Sequence, residues 1–304
     1  MQALLEVLAS EWCSDGAFVS NWICGNEVNN ATWNYAGDLS WKDYISVTSD
    51  MFRMFNTAIK GTVRNARTYL CFDKKWNISE ENESAVLRGA RKVLEDISDN
   101  LEKEGAIHFD VALHPYADNL FFPNWWDDNT TNDPLNAPVT SMKNIRSIAE
   151  YLNKTYGSRT ILSEQGFAGE RPDGTPCQEE QAAAIIAAYY MAAFDDNIDL
   201  FGYHRLRDHP NEVKNKGPLP IGLYKVKESA LDIYYAAEDG KEKADAASKI
   251  FLDASNYEER IAAGVFKYMD SDGYKSADYL AQYYDPSLVS WDDFPGFDKE
   301  RLRH

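Results

Sequence analysis

The chain has 304 residues, 44% of them hydrophobic and 13% aromatic, with a formal net charge of −18. That length suits one large domain or two modest ones, and the composition supports a packed core. An acidic balance spread along the chain excludes nucleic acid, which needs basic patches for its phosphates, and disfavours anionic membrane surfaces.

In chain order, residues 1–8 have the pattern of the middle of an amphipathic helix, without the basic start or cleavage site of a signal peptide. No stretch reaches the roughly 18 apolar residues of a membrane span. Strand-like runs follow near 19–26, 67–73, 108–114, 159–164 and 198–204. Helical periodicity lies between and after them, over 41–60 (Tyr44, Val47, Met51, Met54, Phe55 and Ile59 on one face), 80–104, 141–156 and 178–195. Ser40 and Ser79 are expected as N-caps, with Glu80, Glu81 and Glu83 suiting the dipole of a first turn. Gly61, Gly105 and Gly157 stand where helices should stop. Strand starts recur every 40–50 residues or so, the scale of βα units in a parallel sheet.

Five such units make either an open doubly wound sheet or part of an eight-stranded barrel. No GxGxxG or GxxxxGK[ST] run opens a helix, which removes the usual nucleotide-binding reason for an open sheet. From about residue 240 the pattern changes. Residues 238–248 are polar and helical, and Asp270-Ser271-Asp272-Gly273 opens a Tyr-rich tail. That DxDG lacks the glutamate a calcium loop needs at its twelfth position, so it is expected to be a plain turn. Cys13, Cys24, Cys71 and Cys177 show no metal or CxxC spacing and are expected as free thiols. Cys24 and Cys71, inside apolar runs, should behave as small hydrophobes.

Two of the strand-like runs lead into glutamates. Glu27 closes Trp22-Ile23-Cys24-Gly25-Asn26-Glu27, and Glu164 follows Thr160-Ile161-Leu162-Ser163. Cleavage of a glycosidic bond needs two carboxyl groups, one to protonate the leaving oxygen and one to attack the sugar carbon or activate water. Barrel enzymes keep such groups at the C-terminal ends of their strands. The competing reading for each is a rim glutamate, capping a helix or paired on the surface. Strand alternation sends Asn26 and Glu27 to opposite faces, so a site using both needs a bulge or twist. Between the two acids, His114 and Tyr116 share parity after the run 108–113, and such groups can support a carboxylate by hydrogen bonding. The aromatic excess suits sugar stacking, although packing accounts for many of these rings.

The ordered set of Gly25-Asn26-Glu27, His114-Pro115-Tyr116 and Ser163-Glu164-Gln165-Gly166-Phe167 resembles the clan A glycoside hydrolases over residues 19–208. The motif wording is also similar to a bacterial branch of that clan without assigned function. The resemblance implies an α/β fold of (β/α)8 TIM-barrel type and a retaining glycosidase without metal or cofactor, acting on a β-linked or α-L-linked glycoside. It implies Glu27 as acid/base and Glu164 as nucleophile, with Asn26 on the neighbouring sugar hydroxyl and Tyr116 with His114 orienting Glu164. Trp76, Tyr203 and His204 would line the sugar pocket. Trp125 and Trp126, in the aromatic loop 119–126, are candidates for sugar stacking, against a loop-anchoring role.

By this match the first strand here is the clan's fourth, so strands four to eight are present and the barrel is incomplete. Residues 1–239 would form the partial barrel, and residues 240–304 a helical C-terminal extension. The tail filling the gap is the competing idea, and its pattern shows too little β-type alternation for three strands. The implied partner is an oligo- or polysaccharide, and exposed sheet edges would favour self-association. The parent protein is expected to be secreted or at the cell surface. The alternative function is a non-catalytic carbohydrate-binding relative or an inactive fragment. A metal-dependent hydrolase is disfavoured, because His108, His114, His204, His209 and His304 form no HxH or HExxH set.

Overall fold

The structure is a computed structural model that describes residues 1–34, 37, 39–81, 86–128, 133–213 and 219–264. Its elements are α1 (Gln2–Trp12), β1 (Asn21–Cys24), α2 (Ala31–Asn34), α3 (Trp41–Thr62), β2 (Arg67–Phe72), β3 (Glu80–Glu81), β4 (Val86–Leu87), α4 (Ala90–Lys103), β5 (Asp110–Leu113), α5 (Ile145–Tyr156), β6 (Thr160–Gln165), α6 (Gln178–Ala193), β7 (Ile198–Tyr203), β8 (Tyr224–Val226), α7 (Glu228–Ala236), α8 (Gly240–Leu252) and β9 (Tyr257–Glu259). Five strands form one sheet in the order β1-β2-β5-β6-β7. Parallel register is set by Cys24 opposite Leu70, Cys71 opposite Ala112 and Ala112 opposite Ile161. The sheet and its intervening helices match part of a (β/α)8 barrel. The tail segment 265–304, with the turn expected at 270–273, and Tyr35 lie outside the described residues.

The chain divides into two compact units interleaved in sequence. One comprises Met1–Pro115, Thr130–Ser163 and Asn197–Leu200; the other comprises Tyr116–Asn129, Glu164–Asp196 and Phe201–His304.

In the first unit, α3 buries Ile45, Phe52, Phe55 and Ile59 at helical spacing, and α4 buries Val93, Leu94, Ile97 and Leu101. Ser40 caps α3 as expected, its hydroxyl accepting from the Asp43 amide at 3.2 Å. Gly157 ends α5 at φ 68°, a left-handed value that glycine adopts without steric cost. Gly61 lies inside α3 instead of ending it. The helix expected over 80–104 begins only at Ala90, because β3 and β4 pair as a short antiparallel ladder. Ser79 therefore caps no helix there; its hydroxyl accepts from the Gly89 amide at 3.1 Å. At the start of β5, buried Asp110 accepts from the Arg159 amide at 2.7 Å and Arg67 Nη1 at 3.3 Å, with His108 Nε2 at 3.2 Å. Burial opposes ionisation of Asp110. The hydrogen bonds from His108 and the Arg159 amide, with the charge of Arg67, nevertheless hold its carboxyl below the usual range.

In the second unit, α6 is buried on almost every side, from Gln181 through Ala188, as a helix apolar all round must be. β8 and β9 form an antiparallel pair that joins chain on both sides of residue 239. Val213, Val226, Leu231, Ile250 and Tyr257 pack beside it. Periodicity did not reveal β8, β9 or α7, since three-residue strands carry almost no alternation signal. Asp208 and Arg260 form a buried ion pair at 2.9 Å. Arg260 Nη1 also donates to the Gly222 carbonyl at 2.7 Å.

All four cysteines are free, as their spacing predicts. No helix among the described residues is long and apolar enough to cross a membrane.

Candidate active site

Each unit carries one of the two glutamates, with its own hydrogen-bond partners. In the first unit β1 ends at Cys24, so Glu27 stands three residues beyond the ladder. Gly25 and Glu27 take φ values of 74° and 44°. For a non-glycine residue the second is costly and must be held by its surroundings. Two backbone bonds hold it, Val28 N–H to the Cys71 carbonyl at 2.8 Å and Asn30 N–H to the Glu27 carbonyl at 2.7 Å. This left-handed step breaks the strand alternation at Glu27. Asn26 remains exposed, whereas Glu27 turns into the protein with its side chain 10% exposed. Glu27 Oε1 lies 2.9 Å from His114 Nδ1, and His114 Nε2 lies 3.2 Å from Cys71 Sγ. His114 and Cys71 are both buried.

In the second unit Tyr116 Oη donates to Glu164 Oε1 at 2.6 Å, a short charge-assisted bond. The same hydroxyl lies 3.0 Å from His204 Nδ1. A phenol has one proton, and here it goes to Glu164, so His204 Nδ1 is the donor to Tyr116 Oη. His204 Nδ1 also stands 3.6 Å from Glu164 Oε1. The Glu164 and His204 side chains are 32% and 37% exposed, so a ligand can reach both. Gly166 follows Glu164 at the turn expected there. A methyl at that position would lie 2.1 Å from the His204 carbonyl oxygen, so glycine is what lets the two chain segments meet.

Several expected roles need correction. Both ring nitrogens of His114 are taken up by Glu27 and Cys71, so this imidazole serves Glu27; it was expected to orient Glu164. Tyr116 does contact Glu164, and its helper is His204. Trp76 is 1% exposed, and its indole N–H donates to the Leu135 carbonyl at 3.1 Å. Trp125 is 2% exposed and donates to the Ala184 carbonyl at 3.2 Å; Trp126 is buried against it at 5.7 Å between ring centroids. Stacking on a sugar needs an open ring face, so these three rings pack and anchor loops. Tyr203 is half-buried and donates to the Ile221 carbonyl at 2.6 Å, and burial pushes its phenol above the usual range. Its hydroxyl therefore serves the interior. Cys71 was read only as a small hydrophobe. Its parity with His114 on adjacent strands, two residues beyond the Cys71–Ala112 pair, was the available signal.

Among solved structures, the chain is similar to a hyperthermophilic β-glucosidase from Pyrococcus furiosus, with 14% identity and a TM-score of 0.52 over 95% of this chain and 60% of that one. It is similar to a β-glucosidase mutant derived from a hyperthermophilic tetrameric structure, with 14% identity and a TM-score of 0.51 over the same shares. It is also similar to a fungal β-1,4-galactanase, with 12% identity and a TM-score of 0.50 over 73% of this chain and 62% of that one. At such identities the likeness shows the fold alone. The chain spans about 60% of the length of the two β-glucosidases. No curated protein matches it. A sequence-family model matches residues 1–287, and the chain belongs to that family, described as a family of unknown function, DUF5722.

Proposed function

We propose that this protein is a retaining glycoside hydrolase in which Glu164 is the nucleophile and Glu27 the general acid/base. In the first step the Glu164 carboxylate attacks the anomeric carbon while Glu27 gives its proton to the departing glycosidic oxygen. In the second, Glu27 takes a proton from water, and the resulting hydroxide displaces Glu164 from the sugar. Tyr116 and His204 orient the nucleophile, and Asn26 binds the adjacent sugar hydroxyl. The substrate is an oligo- or polysaccharide with a β- or α-L-linkage. In this reading residues 1–239 supply the barrel portion and residues 240–304 an extension.

The observation that carries the reading is the setting of Glu164. It is a strand-end carboxylate, open to ligand, with one oxygen held by a tyrosine, in a fold shared with glycosidases. Trapping with a 2-fluoro glycosyl donor followed by peptide mass spectrometry tests it. An adduct should form on Glu164 and be absent from Glu164→Gln. Glu27→Gln should spare only substrates with good leaving groups. Full turnover by both variants sinks the assignment. The second reading is a carbohydrate-binding protein without catalysis on the same scaffold. Glycan binding without any covalent adduct would select it.

A further inference from the structure

We propose that Gln181 is a positioning residue for Glu164, acting through the chain that leaves β6. Gln181 is fully buried near the start of α6, and every residue from Ala182 to Ala188 is alanine or isoleucine. A buried amide in such a setting is costly unless it is hydrogen-bonded. Its Nε2 donates to the Phe167 carbonyl at 2.9 Å. The same nitrogen lies 3.3 Å from the Ile221 carbonyl oxygen, 3.4 Å from that of Gly222 and 3.4 Å from Tyr203 Oη.

The Tyr203 hydroxyl has one proton and gives it to the Ile221 carbonyl at 2.6 Å. Toward Gln181 Nε2, and toward the Phe167 N–H at 3.5 Å, it therefore accepts. All four oxygens around Nε2 are acceptors. An amide nitrogen brings two protons to that point, whereas a carboxylate of the same shape brings none. The acceptors also settle which end of the side chain is nitrogen. Phe167 is thus held at both its N–H and its carbonyl.

What this hold does follows from where the sheet stops. β6 ends at Gln165, whose carbonyl accepts from the His204 N–H at 2.8 Å. Gly166 then passes the His204 carbonyl at the close approach described above, and Phe167 is the next residue. The amide of Gln181 keeps the chain in place on the far side of that approach, beyond the reach of the strand ladder. Tyr203 and His204 are consecutive, so the same cluster bears on the imidazole that donates to Tyr116 Oη at 3.0 Å. Glu164 thereby keeps its orienting hydroxyl. A methyl on Gly169 would lie 2.5 Å from Gln181 Oε1, so glycine there leaves room for the amide. Gln181 touches no reacting atom. Its effect on rate rests on the reading of Glu164 as nucleophile; its effect on the His204–Tyr116 bond does not.

¹H–¹⁵N NMR of the full chain, labelled at glutamine and histidine, tests the hold apart from turnover. In the native protein the Gln181 side-chain amide should exchange with solvent about 100-fold more slowly than an exposed glutamine. Exchange at the exposed rate overturns the proposal without any variant having to fold. Gln181→Met keeps the volume and removes the donor. It should shift the His204 Nδ1–H signal and slow fluorosugar trapping at Glu164 by about tenfold, with little change in the donor concentration for half-maximal trapping. Tyr203→Phe, which takes the hydroxyl out of the cluster, should act in the same direction. Native trapping and a native His204 signal in either folded variant, with only stability reduced, would leave a packing role alone and overturn the proposal. A protected Gln181 amide and a shifted His204 signal in a protein that never forms the adduct would uphold the hold and refute the glycosidase reading.

Discussion

Gly166→Ala should damage both stability and the Glu164 cluster, through one contact. The added methyl would stand 2.1 Å from the His204 carbonyl oxygen, 2.8 Å from Ile221 Cδ1 and 3.1 Å from Ile221 Cβ. Ordinary contact distance is about 3.5 Å, so the His204 backbone has to retreat by roughly 1.4 Å. His204 Nδ1 lies only 3.0 Å from Tyr116 Oη. A retreat of that size takes the pair past about 3.5 Å, where the hydrogen bond is lost. Overpacking of this kind costs about 1–3 kcal/mol. A displacement near 1 Å at a positioning group costs on the order of 100-fold in rate. Urea unfolding measures the first effect and the rate of fluorosugar trapping the second. Gly61→Ala is the control: it lies within α3 with nothing within 4 Å of the new methyl, and should stabilise by about 0.5–1 kcal/mol. If Gly166→Ala unfolds at the same urea concentration as the native chain, the close approach between these segments is not a real constraint and the argument fails.

Tyr116→Phe keeps the buried ring and removes the hydroxyl that donates to Glu164 and accepts from His204. It should slow trapping at Glu164 by about 10- to 100-fold, the worth of a hydrogen bond of about 1.5–3 kcal/mol to a charged group; an unchanged rate would refute the orienting role. Asp110 has its carboxyl held low in the folded state, so its contribution to stability is present above the unfolded-state value, about 3.9, and is lost as pH falls through the folded value. Asp110→Asn should therefore lose about 1.5–3 kcal/mol at neutral pH, with a shallower decline in acid, as followed by urea unfolding between about pH 2 and 6; parallel acid limbs would contradict this. Arg260→Met leaves the Asp208 carboxylate buried without its cation and should cost about 3–5 kcal/mol by urea unfolding. Adding Asp208→Asn should recover part of that loss, and a single variant as stable as the native chain would remove the pair from the account.

The five strands of the main sheet were legible because each is a short apolar run closed by a recognisable stop, and their helices because a buried face repeats every three to four residues. β8 and β9 are too short to show a period, and the charges of Glu80 and Glu81 suit the first turn of a helix as well as the ladder these two residues join. Glu27 and Glu164 could be picked out along one dimension, as acids just after apolar runs. Which donor serves which acid could not be read that way. His114 and Tyr116 share strand parity, yet His114 bonds Glu27 while Tyr116 bonds Glu164.

The sequence by itself determined the order of the five main-sheet strands, the free thiols and the two acids that follow apolar runs, since these follow from local residue type and period. Tertiary structure decided the partners of those acids and the fate of the aromatic rings. Partner choice depends on register between strands and on the left-handed backbone at Gly25 and Glu27, neither of which is encoded in a single run. Trp76 and Trp125 have the composition of a sugar platform, but whether a ring face is open depends on what packs over it. For these two it is the interior, with each indole N–H already bound to a carbonyl.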